Sequence, residues 1–538
     1  QAILNYNTKL NKDLTLYANI GGVVTSTDNQ YLQRSTNGGF NIRDFFSLTN
    51  SKNNPVNSSS SRGSDLLYGI FATAQLSYKE MLFLEASGRN DWSSILPPNN
   101  NSYFYPGVSA SWLFSQVLQM PAWFNYGKLR ASYTNLGLPG PRYFSNNIYS
   151  VGSYPTFGAT FSPPNSLPPA NLVPEKRREI ELGIESRFLD SRMGLEVNYY
   201  HSNRYRAIIG LSLPASTGVG SININAGDIA QNGFEIQLMA TPIKTKDFQW
   251  NLNLNGAKDK PMVKKLFPGI TQQTLWGATG ATIAAIEGHP WGEILLNPYI
   301  IDSKTGKKVV DAGGYYDTDP SKQVPYGNVL PNLTGGFNNT FTYKGFSLNF
   351  NIDFQFGSKL ISQTNMYMIG NGSGINTIQG RDAAHGGLAY YVASDGTFVQ
   401  TSGTAGPAGS KYDGTVFHDG VILDGVKADG TPNTTVITAA DKYSYYWRSF
   451  MDLQPDVIYK NDYIKLRNAV IAYEFPKSVA AKLLLQRLSL AFFVNNVAYL
   501  HKTMPNVDPE AINGTNNFTE NNGFPATRSY GFTVKTTF

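Results

Sequence analysis

Three observations predict an all-β fold, a transmembrane antiparallel outer-membrane β-barrel. The first is period-2 alternation. Phe346, Leu348, Phe350, Ile352, Phe354 and Phe356 alternate with Ser347, Asn349, Asn351, Asp353 and Gln355, and successive strand side chains point to opposite faces. One face is therefore apolar and the other polar. The second is length. The alternating segments mostly run ~10 residues or more, enough to cross a bilayer at a tilt, whereas strands of a soluble sandwich average about 5–6. The third is that connections alternate between tight and long along the whole chain, the pattern of short periplasmic turns and long extracellular loops.

The elements follow in order. Strands are predicted at roughly 2–10, 14–27, 66–78, 81–90, 103–113, 126–137, 176–188, 192–210, 229–241, 248–258, 333–344, 346–358, 456–474, 486–500 and 528–538, about 15 in all. Ile180, Leu182 and Ile184 alternate with Glu179, Glu181 and Glu185. Met193, Leu195, Val197 and Tyr199 alternate with Gly194, Glu196, Asn198 and Tyr200, and Asn251 and Asn253 take the polar side of Phe248–Asn255. Asn11-Lys12-Asp13, Tyr78-Lys79-Glu80, Leu189-Asp190-Ser191 and Lys344-Gly345 read as tight turns. The links 28–65, 138–175, 259–332 and 359–455, rich in Gly, Asn, Ser and Pro, read as long loops. Segments 114–125 and 475–485 interrupt the pattern, and Lys477–Leu485 suits a short turn helix. Trp92 reads as a structural residue in a short link. Single-chain bacterial barrels have an even number of strands. An odd count, and a start at Gln1-Ala2-Ile3-Leu4 that reads as mid-strand, predict one barrel domain over 1–538, truncated on its N-terminal side.

Composition removes the competing classes. The 538 residues carry Lys+Arg 44 against Asp+Glu 38, a net +6 too small and too dispersed for nucleic acid. Charged residues are 15%, against roughly 25% in soluble domains. Zero cysteines exclude a disulfide scaffold, thiolate zinc and a Cys nucleophile. No run of 18 apolar residues exists, which argues against a transmembrane helix. A hydrophobic content of 41% argues against disorder.

Particular motifs then narrow the reading. In the last segment Tyr530, Phe532, Val534 and Phe538 share one face, and a terminal Phe closing an alternating strand resembles the signal read by barrel-assembly machinery. Other stretches stand in a telling order: Gly88-Arg-Asn-Asp-Trp-Ser-Ser94, Asn100-Asn-Ser-Tyr-Phe-Tyr-Pro106, Gly127-Lys-Leu-Arg-Ala-Ser-Tyr133, Pro174-Glu-Lys176 and Asn232-Gly-Phe-Glu-Ile236. Pro331 to Phe341, Asp424-Gly425 with Asp429-Gly-Thr-Pro-Asn433, Asn461-Asp-Tyr-Ile-Lys-Leu-Arg-Asn468 and Asn506-Val-Asp-Pro-Glu510 continue it. From about residue 65 to 538 this order resembles the SusC/RagA-type TonB-dependent transporters of Bacteroidetes outer membranes. The resemblance implies a 22-stranded barrel, an N-terminal plug, a TonB-contacting segment and a SusD-like surface lipoprotein as lid. Plug, TonB contact and about seven of the 22 strands would lie upstream of this chain.

The implied function is import of a polar oligomer, a glycan or oligopeptide, across the outer membrane of a Gram-negative, Bacteroidetes-like bacterium, with outer-membrane lipid around the wall. The alternative is a non-transporting scaffold of the same type within an outer-membrane assembly. Glu179, Glu181, Glu185, Glu196, Asn251, Asn253, Asn349, Asn351 and Asp353 are expected to line a wet lumen. Trp276, Tyr390, Tyr391, Tyr446 and Trp447, in or beside long loops, are the candidate ligand contacts, against the plainer reading of an aromatic girdle. Enzymatic chemistry is not expected. Glu179, Glu181 and Glu185 share a face on which i and i+2 neighbours stand ~6.6 Å apart, near glycosidase separations, but no third element points to a cleft. The five histidines are scattered singly, so no metal site and no cofactor is expected. The Asp-Gly run from His418 to Asn433 lacks EF-hand order and reads as turns, with a loop calcium as the alternative left open.

Overall fold

A computed structural model of the chain describes all residues except 144–148, 155–157, 170, 279–280, 449–454, 514–518 and 522. It divides into two compact units. The first comprises Gln1–Ser191, Glu196–Asn232 and Lys264–Pro268; the second comprises Arg192–Leu195, Gly233–Val263 and Gly269–Phe538.

The first unit is built on β1 (Ala2–Lys9), β2 (Leu14–Phe40), β3 (Ser51–Tyr78), β4 (Leu82–Ser93), β5 (Ser102–Trp112), β6 (Phe124–Leu138), β7 (Glu175–Phe188) and, for all but its first residues, β8 (Met193–Tyr205). Neighbours in sequence are neighbours in the sheet. These strands pair antiparallel, with registers such as Leu76↔Leu84, Leu84↔Ala110 and Tyr133↔Ile180 that keep apolar residues opposite apolar residues. That apolar face is the exposed one: Ile180, Leu182 and Ile184 are among the open side chains. This is the inverse of a soluble sandwich and is what a lipid-facing surface requires. Where Ala74, Ala86, Ala110 and Ala131 replace larger residues, the apolar face dips into a cleft of about 640 Å³.

The tight turns carry backbone strain. Lys79 and Glu80 take φ 48° and 57°, and Leu189, Asp190 and Ser191 lie at 55–60°. Primed hairpin turns demand positive φ, and non-glycine residues adopt it at a cost of order 1 kcal/mol each. Asn11 relieves another turn by accepting from the amides of Asp13 and Leu14 at 2.8 and 2.9 Å.

The second unit carries β9 (Asp228–Lys244, mostly in this unit), β10 (Phe248–Lys265), β11 (Leu333–Tyr343), β12 (Phe346–Phe356), β13 (Tyr463–Glu474), β14 (Arg487–Lys502) and β15 (Ser529–Thr537), again in chain order. Long strands number eight and seven in the two units, the total the alternation predicts. The turn helix appears as Lys477–Lys482. Tyr530, Phe532, Val534 and Phe538 are open, with Phe532 against Phe492 at 5.1 Å. One amide breaks the apolar face. Asn339, 2% exposed and opposite Leu252 and Phe350, accepts from the Trp250 indole at 3.0 Å.

Three expectations are corrected. The link 28–65 is not a loop. β2 and β3 continue as a paired hairpin to Phe40↔Ser51, because Ser, Asn and Gln on both faces satisfy the ladder in water without a core. The links 259–332 and 359–455 also contain structure. Strands Gln272–Ala278, Ala281–Ile286, Glu293–Leu296 and Val324–Asn328 form one small sheet, and Phe398–Gln400, Leu388–Val392, Val416–Val421 and Ile437–Thr438 form another, with helices α1 (Gln363–Gly370) and α2 (Ala439–Arg448) beside them. Trp92 lies inside β4, not in a link, and stacks on Tyr68 at 5.2 Å.

Candidate functional site: the polar wall face and its loop anchors

Strand alternation puts the predicted polar residues on the face opposite the open apolar one, and side-chain pairing fixes them there. In the first unit Arg130 of β6 reaches Asn198 at 2.9 Å and pairs with Glu196 on β8. Gly183 on the intervening β7 makes this crossing feasible: a Cβ there would stand 2.4 Å from Asn198 Oδ1 and 3.2 Å from Arg130 Nε. Arg177 binds Glu179 and Ser202, both at 2.6 Å, and Arg187 pairs with Glu185 at 3.2 Å. Two of the three same-face carboxylates are thus salt-bridged to arginines, an arrangement that holds charge instead of poising it for acid–base work. Glu181 lies between them, half-buried, opposite Ser132.

Farther along, Arg89 donates to Asp91 at 2.8 Å, Tyr105 donates to the other Asp91 oxygen, and Asp91 is 4% exposed. Arg89 and Asp91 belong to the Gly88–Ser94 motif, and Tyr105 to the Asn100–Pro106 motif. The register places Arg89 opposite Tyr105 and Asp91 opposite Tyr103. Two motifs that look independent in sequence are one hydrogen-bonded cluster.

The second unit replaces arginine crossings with an amide ladder. Asn338 donates to Asn351, Asn351 to Asn468 at 2.9 Å, and Asn349 to Thr340 at 2.8 Å. Thr241 and Gln249 donate to Asn251 at 2.9 Å, and Gln237 to Asn253 at 3.4 Å. The ladder ends in a charge cluster. Arg467 spans Asp353 at 3.1 Å and Glu510 at 2.9 Å. Lys465, 2% exposed, donates to Glu510 at 2.5 Å and Tyr499 at 3.2 Å, while Tyr463 donates to Glu510 at 3.1 Å. Burial acts to raise the Glu510 pKa, but Arg467 and Lys465 prevail and hold it near 2. The Asn461–Asn468 and Asn506–Glu510 motifs are again partners: the wall strand supplies the cations and the loop supplies the acid. Farther along the same connection, Glu520, 1% exposed, accepts from Ser362 at 2.6 Å and from Thr364. Asn506 donates to Asn365 at 2.9 Å. Glu510 therefore straps 503–511 to β13, and Glu520 binds the start of α1.

The aromatic candidates separate. Trp276 packs, partly buried, against a core of Ala281, Ile283, Ile294, Leu296, Met366 and Val457. Tyr390 is 4% exposed, inside a second core with Val392 and Val436, and donates to Asp419 at 3.0 Å; burial and that bond raise its pKa. Its ring faces are closed to a ligand. Tyr391 is half-buried and covered by Gly406. Tyr446 and Trp447 lie on α2, and their side chains are outside the described residues. Of the Asp-Gly run, Asp429-Gly430 forms a turn, Asp429 accepting from Thr431 N and Oγ1 at 2.9 and 2.6 Å, and Asp424 sits at a bend and pairs with Lys307 at 2.6 Å; against the expectation of turns, Asp419-Gly420 lie in the strand Val416–Val421. Among the described residues no three His, Cys, Asp or Glu side chains converge as a metal site.

The sequence reading missed Arg89, Asp91, Arg130, Lys465, Arg467 and Glu510 as a group. Charges at polar-face positions opposite other polar-face residues would have found them, since the register makes such pairs neighbours.

Residues 2–353 match the family model described as "TonB dependent receptor-like, beta-barrel". The chain is 26% identical over 316 residues to TonB-dependent receptor P26 of Formosa agariphila, covering 53% of this chain and 31% of that protein. It is 25% identical over 228 residues to TonB-dependent receptor SusC of Bacteroides thetaiotaomicron, covering 39% and 22%. Against the solved structure of the RagAB peptide transporter the TM-score is 0.72 at 20% identity, covering all of this chain and 55% of that one, a likeness of fold. The chain thus spans less than half the length of the curated relatives it matches.

Proposed function

The chain belongs to the TonB dependent receptor-like β-barrel family, and from that premise we propose that it is the C-terminal part of the wall and outer loops of a TonB-dependent importer of the SusC/RagA type. The cargo we propose is a polar oligomer, a glycan or oligopeptide, handed on by a SusD-like surface lipoprotein. TonB would act through a plug encoded upstream, and the chain itself would carry no covalent chemistry. Its strands would form one continuous barrel wall.

The observation that carries this reading is the polar face. Long strands expose their apolar side and tie their polar side chains to one another: Arg130 to Glu196, Arg467 to Asp353 and Glu510, Asn351 to Asn468. A wall whose charges already neutralise each other offers hydrogen bonds to a passing solute without a deep electrostatic trap. Loop aromatics would add contacts for sugar rings or peptide side chains; Tyr391, Tyr446 and Trp447 remain the candidates, with Trp276 at the edge of the loop core.

The test is uptake by cells carrying or lacking the full-length gene. Labelled oligosaccharide and oligopeptide pools are offered with and without TonB depletion. Loss of uptake of one pool on both deletion and depletion is expected; unchanged uptake of every pool in both would sink the reading. A second reading, a non-transporting scaffold, draws support from one observation. Residues of 281–296 and of 361–457 share a single apolar core, a folded platform of the kind that binds proteins. Retained assembly with other envelope proteins, with no uptake defect on deletion, would favour it.

A further inference from the structure

The open apolar face of the first unit ends in cations. On β7 the residues sharing this face run Ile184, Leu182, Ile180 and then Arg178 and Lys176 toward the long connection. Strand alternation puts Arg177 and Glu179 on the other side. The two sides treat charge differently. Arg177 is bound to Glu179 and Ser202, and Arg204, also on the polar side, is bound to Glu175. Among the described residues Arg178 and Lys176 have no acid in ion-pair reach. Arg178 is exposed, and its guanidinium lies over the Tyr205 ring at 4.6 Å. That contact fixes the cation in place without neutralising it.

Height matters as much as charge. Arg178 stands about ten residues from Phe188 at the tight-turn end of β7. That is ~33 Å along the strand. At the ~40° tilt of barrel strands it spans about 25 Å, the height of a barrel's apolar band. Arg178 and Lys176 therefore reach the level where lipid headgroups begin. Two neutral features lie beside them. Asn135 of β6 stands opposite Arg178, and its Oδ1 is buried without a partner. A buried acceptor in that state calls for a donor. Next on the same face is Tyr133, opposite Ile180. Both line the apolar cleft of about 640 Å³, with Leu182 and Ala110 farther along it. Cations, an empty acceptor and an apolar cleft thus follow one another down a single face.

We infer that this face of β6 and β7 holds a phosphorylated glycolipid of the outer leaflet. Its phosphate would sit on Arg178 and Lys176, a sugar hydroxyl or amide N–H on Asn135, and an acyl chain in the cleft. The inference needs the wall to lie in the outer membrane and is independent of the cargo. Both β6 and β7 are hydrogen-bonded to a neighbour on each side, so further strands would join at the edges of the sheet and leave this face open. The other occupants fit less well. A free phosphate would use the cations and leave the cleft without a role. A glycerophospholipid of the inner leaflet would meet the other end of the face, where β7 carries Ile184 and Ser186 and no cation. A second copy apposed through the same face would bring Arg178 and Lys176 toward their own counterparts, like charges in a low dielectric.

The test uses the full-length protein in detergent, with its native lipid exchanged out. Binding of lipid A carrying its phosphates is followed by native mass spectrometry, beside the same lipid after phosphatase treatment, phosphatidylglycerol and inorganic phosphate. Phosphorylated lipid A should bind roughly tenfold more tightly than the dephosphorylated form. Lys176→Gln with Arg178→Gln should abolish that difference, whereas Lys79→Gln at a tight turn should keep it. Ala110→Leu, which fills the cleft, should weaken binding of both forms. The absence of a phosphate preference in the unaltered protein overturns the inference whatever the variants do. So does a preference that survives in the double variant, or binding that Ala110→Leu leaves unchanged. Equal binding of phosphatidylglycerol overturns the choice of a glycolipid, and competition by inorganic phosphate at the lipid's own concentration shows an anion site with no lipid selectivity, which overturns it as well.

Discussion

Two extra-wall regions of this chain are held up in opposite ways. The body formed by 269–332 and 357–462 has an interior. Ile283, Ile294 and Leu296 from one connection pack with Ile361, Met366 and Val457 from the other, and Tyr315 stacks on Tyr445 at 4.8 Å. The ribbon 26–66 has none. It persists through a ladder of backbone pairs and a few side-chain clasps. Burial makes the first region cooperative, so it forms or melts as a unit. A two-stranded ribbon without a core is marginal in water and opens from its free end. A region that must keep one shape is built the first way; a region free to open can be built the second way.

The sharpest way to break this contrast is at the loop core. Ile294→Ala should cost about 3 kcal/mol and raise hydrogen exchange across both 281–296 and 361–366 together. Exchange confined to 281–296 would show that the two connections do not share a core. Next is the strap. Glu510→Ala leaves Lys465 buried without an acid, and about 3 kcal/mol of local stability is expected to go, read as proteolytic nicking within 503–511. The strap also has a pH signature. The Glu510 pKa lies below its ordinary 4.5, near 2, so its stabilising contribution is complete above about pH 4.5 and is lost as pH falls toward 2. Release of 503–511 already near pH 4.5, followed by exchange at stepped pH, would show that the cations do not hold it. Smaller again is Asn50→Ala at the ribbon tip. Losing its three bonds, to Ile42 N, Ile42 O and Phe45 O, should loosen 41–50 by about 1–2 kcal/mol while the melting temperature of the whole protein stays put. The smallest effect belongs to the ribbon below its tip: Leu32→Ser should change stability by no more than about 0.5 kcal/mol. A larger loss would mean the ribbon has a core after all.

What was legible in the sequence follows the same division. Wall strands announce themselves because one side meets lipid: Phe346 to Phe356 alternates without a fault, and its ends were placed within two residues. The ribbon was misread because that constraint stops where lipid stops. Asn29, Gln30, Ser59 and Ser60 look alike in a loop and in a solvated ladder. The loop sheets were missed for a different reason. Strands such as Ala281–Ile286 are six residues long and buried on both faces, so they lack period. Glu179, Glu196, Asn251 and Asp353 were picked by strand parity alone. Arg177 lies two residues from Glu179 on the same strand face, while Arg130, Thr241 and Arg467 lie on other strands, and the register brings those three to their partners. The aromatic candidates rested on loop location, which says nothing of burial, and Tyr390 proved to be core.

The ribbon's register has a consequence for descent. Its rungs couple two strands, so outside its three bulges its length changes in evolution by paired insertions, one residue on each side. A single added rung lifts the tip by about 3.3 Å and also turns it over, because successive residues face opposite ways. Two rungs restore the facing, apart from the further right-handed twist that a free ribbon accumulates. Height and heading are therefore inherited together. Lineages that lengthen or shorten this hairpin should do so in even steps wherever the facing of the tip is kept.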